Sequence, residues 1–588
     1  MDNQRNLILA VVLTGLVLFG WDAGLRWMYP DYGKPKPVAT STAAPAADTA
    51  EAKHTREGGL TSAADIAEEA RDLKTALAAP GRISVEAPGL VGSISLTGAV
   101  VDDLSTVRHR QAIAKDSGPA RVFSPLGTPA QHFAQFGWVG DNIELPRADT
   151  VWTAPQGAKL TPATPVTLTW ANATGQTFTI TFSIDENYMI TAQQTAANLG
   201  AQPVSIRPFA LINRTDKTAS IDSFNVHSGP IGAWDDAVKF DTDYDDVVES
   251  RVVAGKGRLD WIGFTDVYWM SALIPDKAEA SGDFRSLGNR LYRADLIYAP
   301  VRLEPGKQVS RTTRLFAGTK ESKVLDAYED AGVARFGLAI DWGWFRWIAK
   351  PIFLLLAKLF ELVGNFGVAI ILLTVIVRGV MFPIAQRQFA SMAAMRAIQP
   401  KMKALQERYA DDKQKQQQEI MALYKSEGVN PLAGCLPIFL QIPIFFALYK
   451  VLIVAVEMRH QPFALWIKDL SAPDPAMILN LFGLLPFTPP AFLGIGILAV
   501  MLGVTMWLQF KLNPAPMDPM QAQVFAIMPW LMMFVMAPFA AGLLIYWNVS
   551  NILTIAQQWY LYRQHPQLRA QAEKDAEATA RAAARAKQ

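Results

Sequence analysis

Arg378 is the residue whose surroundings first suggest chemistry. It lies within GVAIILLTVIVRGVMFP, residues 367–383, a segment with the composition of a membrane span. A guanidinium stays protonated in proteins, and a charge at the centre of a membrane helix costs roughly 2.5–3.5 kcal/mol even on the mildest scale. Arg378 therefore needs water, a partner or a function. Either it faces a hydrated cavity and attracts acidic segments of another chain, or it snorkels to the cytoplasmic headgroups as an anchor.

Two polar stripes run along the last apolar segment, residues 543–561. Spacings of three and four residues place their members on neighbouring faces of one helix. The first stripe has Asn548, Asn551 and Gln558, and the second has Ser550, Thr554 and Gln557. Further polar groups on the other apolar segments are Gln441, Thr505 and Gln509. These residues provide either a polar environment for Arg378 or hydrogen bonds between helices, and both interpretations turn the stripes away from lipid.

Methionines form a third pattern, in the segment 524–541. Met528, Met532 and Met536 recur every four residues and so share one helix face. Because methionine is flexible and polarisable, this face is suited to varied apolar partners. Ordinary core packing explains the same spacing.

Membrane helices are the elements that must position these residues. Of the 588 residues 51% are hydrophobic and only 18% are charged, and the apolar residues concentrate in the last third of the chain. The apolar runs are residues 367–383, 436–456, 491–510, 524–541 and 543–561, each near the ~20 residues that a bilayer needs. We predict a hairpin over 524–561, broken at Pro538 and Gly542, because one helix of that length would extend about 57 Å. Residues 476–490 are short and end in prolines, which predicts an interfacial segment.

The first half of the chain predicts an anchored extramembrane domain. Residues 1–29 contain a short apolar run that is either a signal peptide or an uncleaved transmembrane anchor, and the lack of a cleavage pattern favours the anchor. Residues 30–80 are interpreted as a flexible linker. Alternating Thr, Val, Ile and Phe over residues 81–319 predict a β-sandwich domain. The chain has one cysteine, which excludes an internal disulfide. Residues 320–366 predict amphipathic helices in the membrane interface or, alternatively, helices packed beneath the β domain.

Basic residues predict the orientation of the chain. Eight Lys and Arg lie in 384–431, which has the spacing of a helical hairpin, and six lie in the tail 563–588, but only two in 457–490. The hairpin, the tail and the N-terminus are therefore expected in the cytoplasm and the β domain outside it. The hairpin side chains expected to meet nascent chains, ribosomal RNA or anionic lipid are Met392, Met395, Arg396, Lys401, Lys403 and Arg408. Enforcing topology is the alternative role.

No enzyme signature is present. The sequence has no G-x-x-x-x-G-K-[ST], H-E-x-x-H or G-x-S-x-G motif and no cysteine pair. We therefore predict neither catalysis nor a cofactor nor a metal site.

Several long segments occur in a recognisable order. They are VRGVMFP, NPLAGCLPIFLQIPIFFALYKVL, PFALWIKDLSAPDP, LGVTMWLQFKLNPAPMDPMQAQ and GLLIYWNVSNILTIAQQ. Together, over about residues 336–563, they closely resemble the YidC membrane protein insertase family of Gram-negative bacteria. The resemblance implies a bacterial inner-membrane, multi-pass protein with a five-helix insertase core in residues 367–383 and 432–562, an N-terminal transmembrane anchor and a periplasmic β-supersandwich domain.

The resemblance also implies functional residues and partners. Arg378 occupies the position of the family's groove arginine, and Thr374 matches a family groove residue. Phe445, Tyr546 and Trp547 match positions near inserting substrate, although the family often has Tyr at the last of these. The residues expected to line the substrate groove are Arg378, Thr374, Gln441, Phe445, Gln509, Met528, Met532, Met536, Tyr546, Trp547 and Asn551. The implied partners are nascent membrane proteins, the Sec translocon, the ribosome, a targeting receptor and the lipid bilayer. The alternative function is a small-solute transporter or channel in which Arg378 binds an anion.

Overall fold

The computed structural model describes residues 72–113, 117–220, 226–409, 412–427, 436–482, 494–512 and 519–564, with the single residues 485, 487 and 489. The predicted N-terminal anchor, most of the predicted linker and nearly all of the predicted basic tail lie outside these residues. Two regions follow one another in the described chain. We call residues 82–319 the β domain and residues 346–564 the helical module.

The β domain is built from short strands whose side chains alternate between a covered and an open face. Along β8 (Gln176–Ile184), buried residues alternate with residues that are less buried, the pattern of a sheet that is covered on one face. The strands in chain order are β1 (Arg82–Glu86), β2 (Leu90–Ser95), β3 (Val100–Arg110), β4 (Pro119–Phe123), β5 (His132–Gly140), β6 (Lys159–Leu160), β7 (Val166–Ala171), β8, β9 (Met189–Asn198), β10 (Val204–Thr215), β11 (Gly229–Trp234), β12 (Ala237–Lys239), β13 (Val252–Ala254), β14 (Leu259–Thr265), β15 (Trp269–Ile274), β16 (Ala280–Gly288), β17 (Leu291–Tyr298), β18 (Val301–Leu303) and β19 (Gln308–Thr319).

These strands form two sheets. The first has the order β13-β16-β17-β10-β5-β3-β2-β1-β6, with β18 beside β10 and β4 beside β3, and the second has the order β12-β11-β14-β15-β19-β9-β8-β7. Gln194 of the second sheet donates from Nε2 to the carbonyls of Gly137 (2.8 Å) and Phe209 (3.2 Å) in the first. The rings of Trp138 and Phe178 pack 5.1 Å apart between the sheets. The prediction of a mostly β domain is confirmed.

Three arginines are buried in the β domain, and each has an aspartate partner. Arg214 lies 2.6 Å from a carboxylate oxygen of Asp266. Arg285 pairs with Asp283 at 2.8 Å, and Arg293 pairs with Asp295 at 3.0 Å. A buried charge that lost its partner would destabilise the fold strongly, so these pairs belong to the core of the domain.

Most of the described helices follow the last strand. The helices in chain order are α1 (Leu73–Leu77), α2 (Tyr244–Ser250), α3 (Ser322–Asp330), α4 (Arg346–Val363), α5 (Phe366–Ala397), α6 (Gln399–Arg408), α7 (Lys413–Ser426), α8 (Leu436–Val454), α9 (Ile497–Leu512), α10 (Pro519–Met536) and α11 (Ala541–Gln564). Short 3-10 turns lie at Asp216–Thr218, Phe336–Ala339 and Val456–Met458. The prediction of a helical C-terminal region is confirmed.

Two details of the predicted helix boundaries are wrong. Helix α5 does not end at Pro383 but continues to Ala397, so the predicted span and the start of the predicted hairpin are one helix. Proline is tolerated inside a membrane helix when neighbouring groups satisfy the freed backbone. The hairpin over 524–561 does break around Pro538, between α10 and α11. Gly542, however, lies inside α11, where a Cβ would come within 2.9 Å of Leu452, so it permits close packing rather than a break.

Among the described residues, one helical stretch is both long and apolar enough to cross a membrane, Phe366–Gln388 in α5. Shorter apolar stretches occupy Phe439–Val454, Ile497–Leu512 and Gln523–Met536. None of the described residues of the predicted interfacial segment, 476–482, 485, 487 and 489, is helical.

The segment before α5 combines features of both predicted roles. Trp342 is buried against Phe353, with ring centroids 5.2 Å apart, as a packing helix requires. Trp344 and Trp347 are 86% and 75% exposed. For these two residues the interfacial role stays a prediction.

The β domain contacts one end of the helical module. Glu457, just after α8, accepts a hydrogen bond at 2.9 Å from the backbone N–H of Ser322 in α3, the helix that follows the β domain. Arg459 donates to the carbonyls of Arg110 (2.7 Å) and Gln111 (2.9 Å) in and just after β3. The helices α6 and α7 continue from the opposite end of α5, so the β domain and the basic hairpin lie at opposite ends of that helix.

Candidate functional site

Arg378 meets a hydroxyl rather than a carboxylate. It lies on α5, and its Nε donates to Ser550 Oγ on α11 at 2.9 Å, with a second hydrogen bond from a terminal guanidinium nitrogen to the same oxygen. A guanidinium has five N–H groups, so three have no partner among the described residues. Arg378 is half-buried and forms no ion pair with any described carboxylate. Its charge is therefore positioned but not neutralised.

A second polar contact lies one helical turn away. Tyr546 precedes Ser550 by four residues on α11, so both side chains are on the same face. Its hydroxyl accepts a hydrogen bond from Gln441 Nε2 on α8 at 2.5 Å. Gln441 Oε1 is buried and has no hydrogen-bond partner among the described residues. On the face of α11 toward α5 and α8, the acceptor Gln441 Oε1 and the cation Arg378 thus have hydrogen-bonding capacity that no described residue uses.

The other polar stripe of α11 is used differently. Asn548 donates to the carbonyls of Leu498 (3.0 Å) and Leu544 (2.9 Å), and Asn551 donates to Thr505 Oγ1 at 3.1 Å. Thr505 in turn donates to Asn548 Oδ1 at 3.2 Å. Asn548 and Asn551 of this stripe therefore form hydrogen bonds between helices. Asn551 lies on the side of α11 that contacts α9.

Aromatic side chains flank the Arg378 region. The rings of Phe445 on α8 and Trp547 on α11 meet edge to face with centroids 5.0 Å apart. Both are half-buried, as the predicted contact with apolar substrate segments would need. Thr374 is fully buried one turn before Arg378 and donates to the carbonyl of Ile370 at 2.7 Å, within its own helix.

The remaining predicted groove residues lie on α9 and α10. Gln509 is half-buried and makes no hydrogen bond to a described residue. Met528 and Met532 are half-buried, whereas Met536 is only 4% exposed. Met536 therefore belongs to the packed interior. For Met528 and Met532, a role in contacting substrate stays a prediction.

The hairpin residues are only partly described. Lys401 pairs with Glu427 at 2.6 Å and joins the start of α6 to the end of α7, and Arg408 is exposed. Met402 is fully buried between these helices and Lys401 is not, so the hairpin has an apolar inside and a basic outside. The side chains of Met392, Met395, Arg396 and Lys403 lie outside the described residues.

Ser550 contacts Arg378 but was not among the residues predicted from the sequence to line the groove. Its place in the second stripe, four residues after Tyr546, is the signal that could have identified it. The arrangement as a whole can attract an anion. Inside a protein two unit charges 4 Å apart interact by about 4 kcal/mol at an effective dielectric of 20, compared with about 1 kcal/mol in water.

Comparisons with known proteins give a consistent result. The family model described as 60Kd inner membrane protein matches residues 358–568, and the one described as YidC periplasmic domain matches residues 82–355. The chain is 43% identical over 569 residues to the protein named Membrane protein insertase YidC of Zymomonas mobilis, with 96% of each chain covered. It is 41% identical over 583 residues to the protein of the same name from Rhizobium etli, again covering 96% of each chain.

Solved structures include a chain described as an active YidC insertase with the first transmembrane domain resolved. The TM-score is 0.36 at 18% identity, with 83% of this chain and 96% of that chain covered. A galactose mutarotase related enzyme from Lactobacillus acidophilus has a TM-score of 0.30 at 9% identity and covers 40% of this chain.

Proposed function

Because the chain belongs to the YidC family, we propose that it is a membrane protein insertase and chaperone that accepts newly made inner-membrane proteins at Arg378. The single observation that carries this mechanism is the half-buried guanidinium held by Ser550 without a carboxylate. The buried arginines Arg214, Arg285 and Arg293 of the β domain, by contrast, each pair with an aspartate.

The proposed site is a polar groove between α5, α8 and α11 that opens toward the cytoplasm. The basic helices α6 and α7 lie at the end of α5 opposite to the β domain, which supports a cytoplasmic hairpin and a periplasmic β domain. In this arrangement both termini are cytoplasmic. The five-helix core then consists of α5, α8, α9, α10 and α11, and the β domain is a supersandwich that follows a transmembrane anchor.

The groove shortens the apolar path that a polar segment of a client must cross. Arg378 attracts acidic residues of that segment, and the membrane potential contributes about 2.3 kcal/mol per charge for each 100 mV. Phe445 and Trp547 meet the apolar residues that follow. Burial of those residues in lipid, worth roughly 25 cal/mol per Å², then draws the client helix sideways out of the groove.

The proposed partners follow the same logic. Clients are nascent membrane proteins, delivered by the ribosome and a targeting receptor to the basic hairpin or passed on by the Sec translocon. The exposed basic residue Arg408 supports a contact with an anionic partner on that side.

Reconstitution tests the proposal. Purified protein in vesicles should insert a small membrane protein with an acidic translocated tail, and Arg378→Ala should lower the inserted fraction roughly tenfold, or about 1.4 kcal/mol. Arg378→Lys is the matched control and should retain most activity because the charge is kept. The same client with a neutral tail should depend less on residue 378.

Two results would contradict the proposal. Normal insertion of a Sec-independent client in vesicles from cells depleted of the protein would remove the insertase function. Equal effects of Arg378→Ala on acidic and neutral tails, or no effect on either, would favour a snorkelling anchor.

A further inference from the structure

The loop between α8 and α9 exposes a large apolar surface. The 36 residues from 475 to 510 contain no Asp, Glu, Lys, Arg or His. Six large apolar side chains of this loop are between 40% and 56% exposed: Ile478, Leu479, Leu481, Phe482, Leu485 and Phe487. An exposed apolar patch of this kind marks an interaction surface rather than ordinary protein surface.

The base of this loop is held in place by hydrogen bonds. Asp474 is 2% exposed, and its Oδ1 accepts from Trp466 Nε1 at 2.9 Å and from the backbone of Ala476 at 3.0 Å. Its Oδ2 accepts from the backbone N–H of Leu498 in the first turn of α9 at 2.8 Å. The loop therefore starts from a fixed point at the N-terminal end of α9.

The tip of the loop has an unfavourable backbone conformation. Leu481 has φ 50° and Phe482 has φ 61°, in the left-handed region that bulky residues rarely adopt. Such a conformation persists only when its surroundings compensate for it. Backbone hydrogen bonds from Leu481 to Ile478 (3.0 Å) and from Phe482 to Met477 (2.8 Å) hold this turn, and the two side chains face outward.

The length of α9 indicates what surrounds the outward-facing side chains of the loop. Its 16 residues rise about 24 Å, short of the ~30 Å hydrocarbon core of a bilayer. We propose that the described residues 478–482, 485 and 487, the apolar loop, enter the acyl region of the leaflet on the side of the β domain and complete the short span of α9. This inference rests on the membrane arrangement of the proposed function.

Continuity with the outer face of α9 favours lipid over a protein partner. Met501, Val504 and Leu508 on that helix are 41% to 47% exposed, and no charged residue separates them from the apolar loop. Protein interfaces normally have a polar rim, whereas the sequence from 475 to 510 has no charged residue. The loop lies at the end of the helices where Arg459 contacts the β domain, which assigns the leaflet.

Spin labels test the inference in the full chain. The chain has a single cysteine, so Cys435→Ser provides a background in which Phe482→Cys or Leu479→Cys can be labelled in nanodiscs. Collisions with oxygen report lipid, and collisions with a water-soluble nickel chelate report solvent. Leu199→Cys, 75% exposed in the β domain, is the solvent reference, and Val504→Cys is the lipid reference.

We expect both loop labels to have an oxygen-to-nickel ratio near that of Val504 and several-fold above that of Leu199. A ratio like that of Leu199 at both loop sites would overturn the inference, as would low access to both reagents, which means cover by protein. If the Val504 label itself were in water, both the proposal that α9 spans the membrane and the inference that the loop enters lipid would be wrong. A lipid-exposed Val504 with water-exposed loop labels would reject the loop inference alone.

Discussion

The three buried arginines of the β domain and Arg378 of the helical module have different partners. In the β domain Arg214, Arg285 and Arg293 are at most 8% exposed, and each has an aspartate oxygen within 3.0 Å. In the helical module Arg378 has a serine hydroxyl. Burial alone lowers the pKa of Arg214, but Asp266 raises it above its usual value, so that charge is neutralised within the fold. We propose that the difference separates charges that are neutralised within the fold from one that is available to a client.

The largest expected effect comes from breaking a pair in the β domain. Asp266→Asn leaves Arg214 buried without a counter-charge, which should reduce the free energy of unfolding by roughly 3–5 kcal/mol. Glu86→Gln is the control, because the Glu86–Lys159 pair is more than half exposed and should contribute at most about 1 kcal/mol. Hydrogen exchange of β-domain amides in the full chain measures both. Equal losses would mean that burial does not distinguish the pairs.

The second prediction gives Arg378 the partner that the β-domain arginines have. Ser550→Asp places a carboxylate where the hydroxyl now accepts, so insertion of acidic-tailed clients should fall roughly tenfold, or about 1.4 kcal/mol. Ser550→Asn keeps a neutral acceptor and should retain most activity. The inserted fraction in vesicles is the measurement. Full activity of Ser550→Asp would show that Arg378 need not be free.

The third prediction concerns pH. Burial, with Arg214 nearby, lowers the pKa of His132 well below its usual 6.5, so His132 is neutral in the folded β domain. Above pH 6.5 His132 binds no proton in either the folded or the unfolded state. Below pH 6.5 only the unfolded state binds a proton there, so the free energy of unfolding falls by roughly 1 kcal/mol per pH unit until the pH reaches the pKa of the folded state. Hydrogen exchange at pH 7 and 5.5 measures this. His132→Gln should reduce the pH dependence, and an unchanged slope would contradict the assignment.

The smallest expected effect lies on the hydrogen-bonded stripe of α11. Thr505→Val removes the hydroxyl shared by Asn548 and Asn551 and should destabilise the helical module by about 0.6 kcal/mol. Insertion should be unchanged, in contrast to Ser550→Asp. Thermal unfolding in nanodiscs, with insertion measured alongside, tests the pair. A loss of insertion larger than the loss of stability would place Asn551 in the groove after all.

Local patterns predicted much of this architecture. Alternation in segments such as residues 177–184 predicted strands, and the structure has β8 there. The spacing along residues 548–558 predicted that Asn548, Ser550 and Asn551 face inward, and all three are at most 3% exposed. Helix ends were harder to predict. A proline such as Pro383 disfavours a helix locally, but packing and the membrane environment decide whether the helix continues.

Composition and periodicity over a few turns are enough to predict that Arg378 lies in an apolar helix, that two polar stripes run along α11 and that the first half of the chain is rich in strands. Which stripe contacts the arginine depends on tertiary packing. Arg378 and Ser550 are 172 positions apart. A hydrogen bond across that separation depends on how α5, α8, α9 and α11 pack, which depends on side-chain volumes throughout the module rather than on any pattern near either residue.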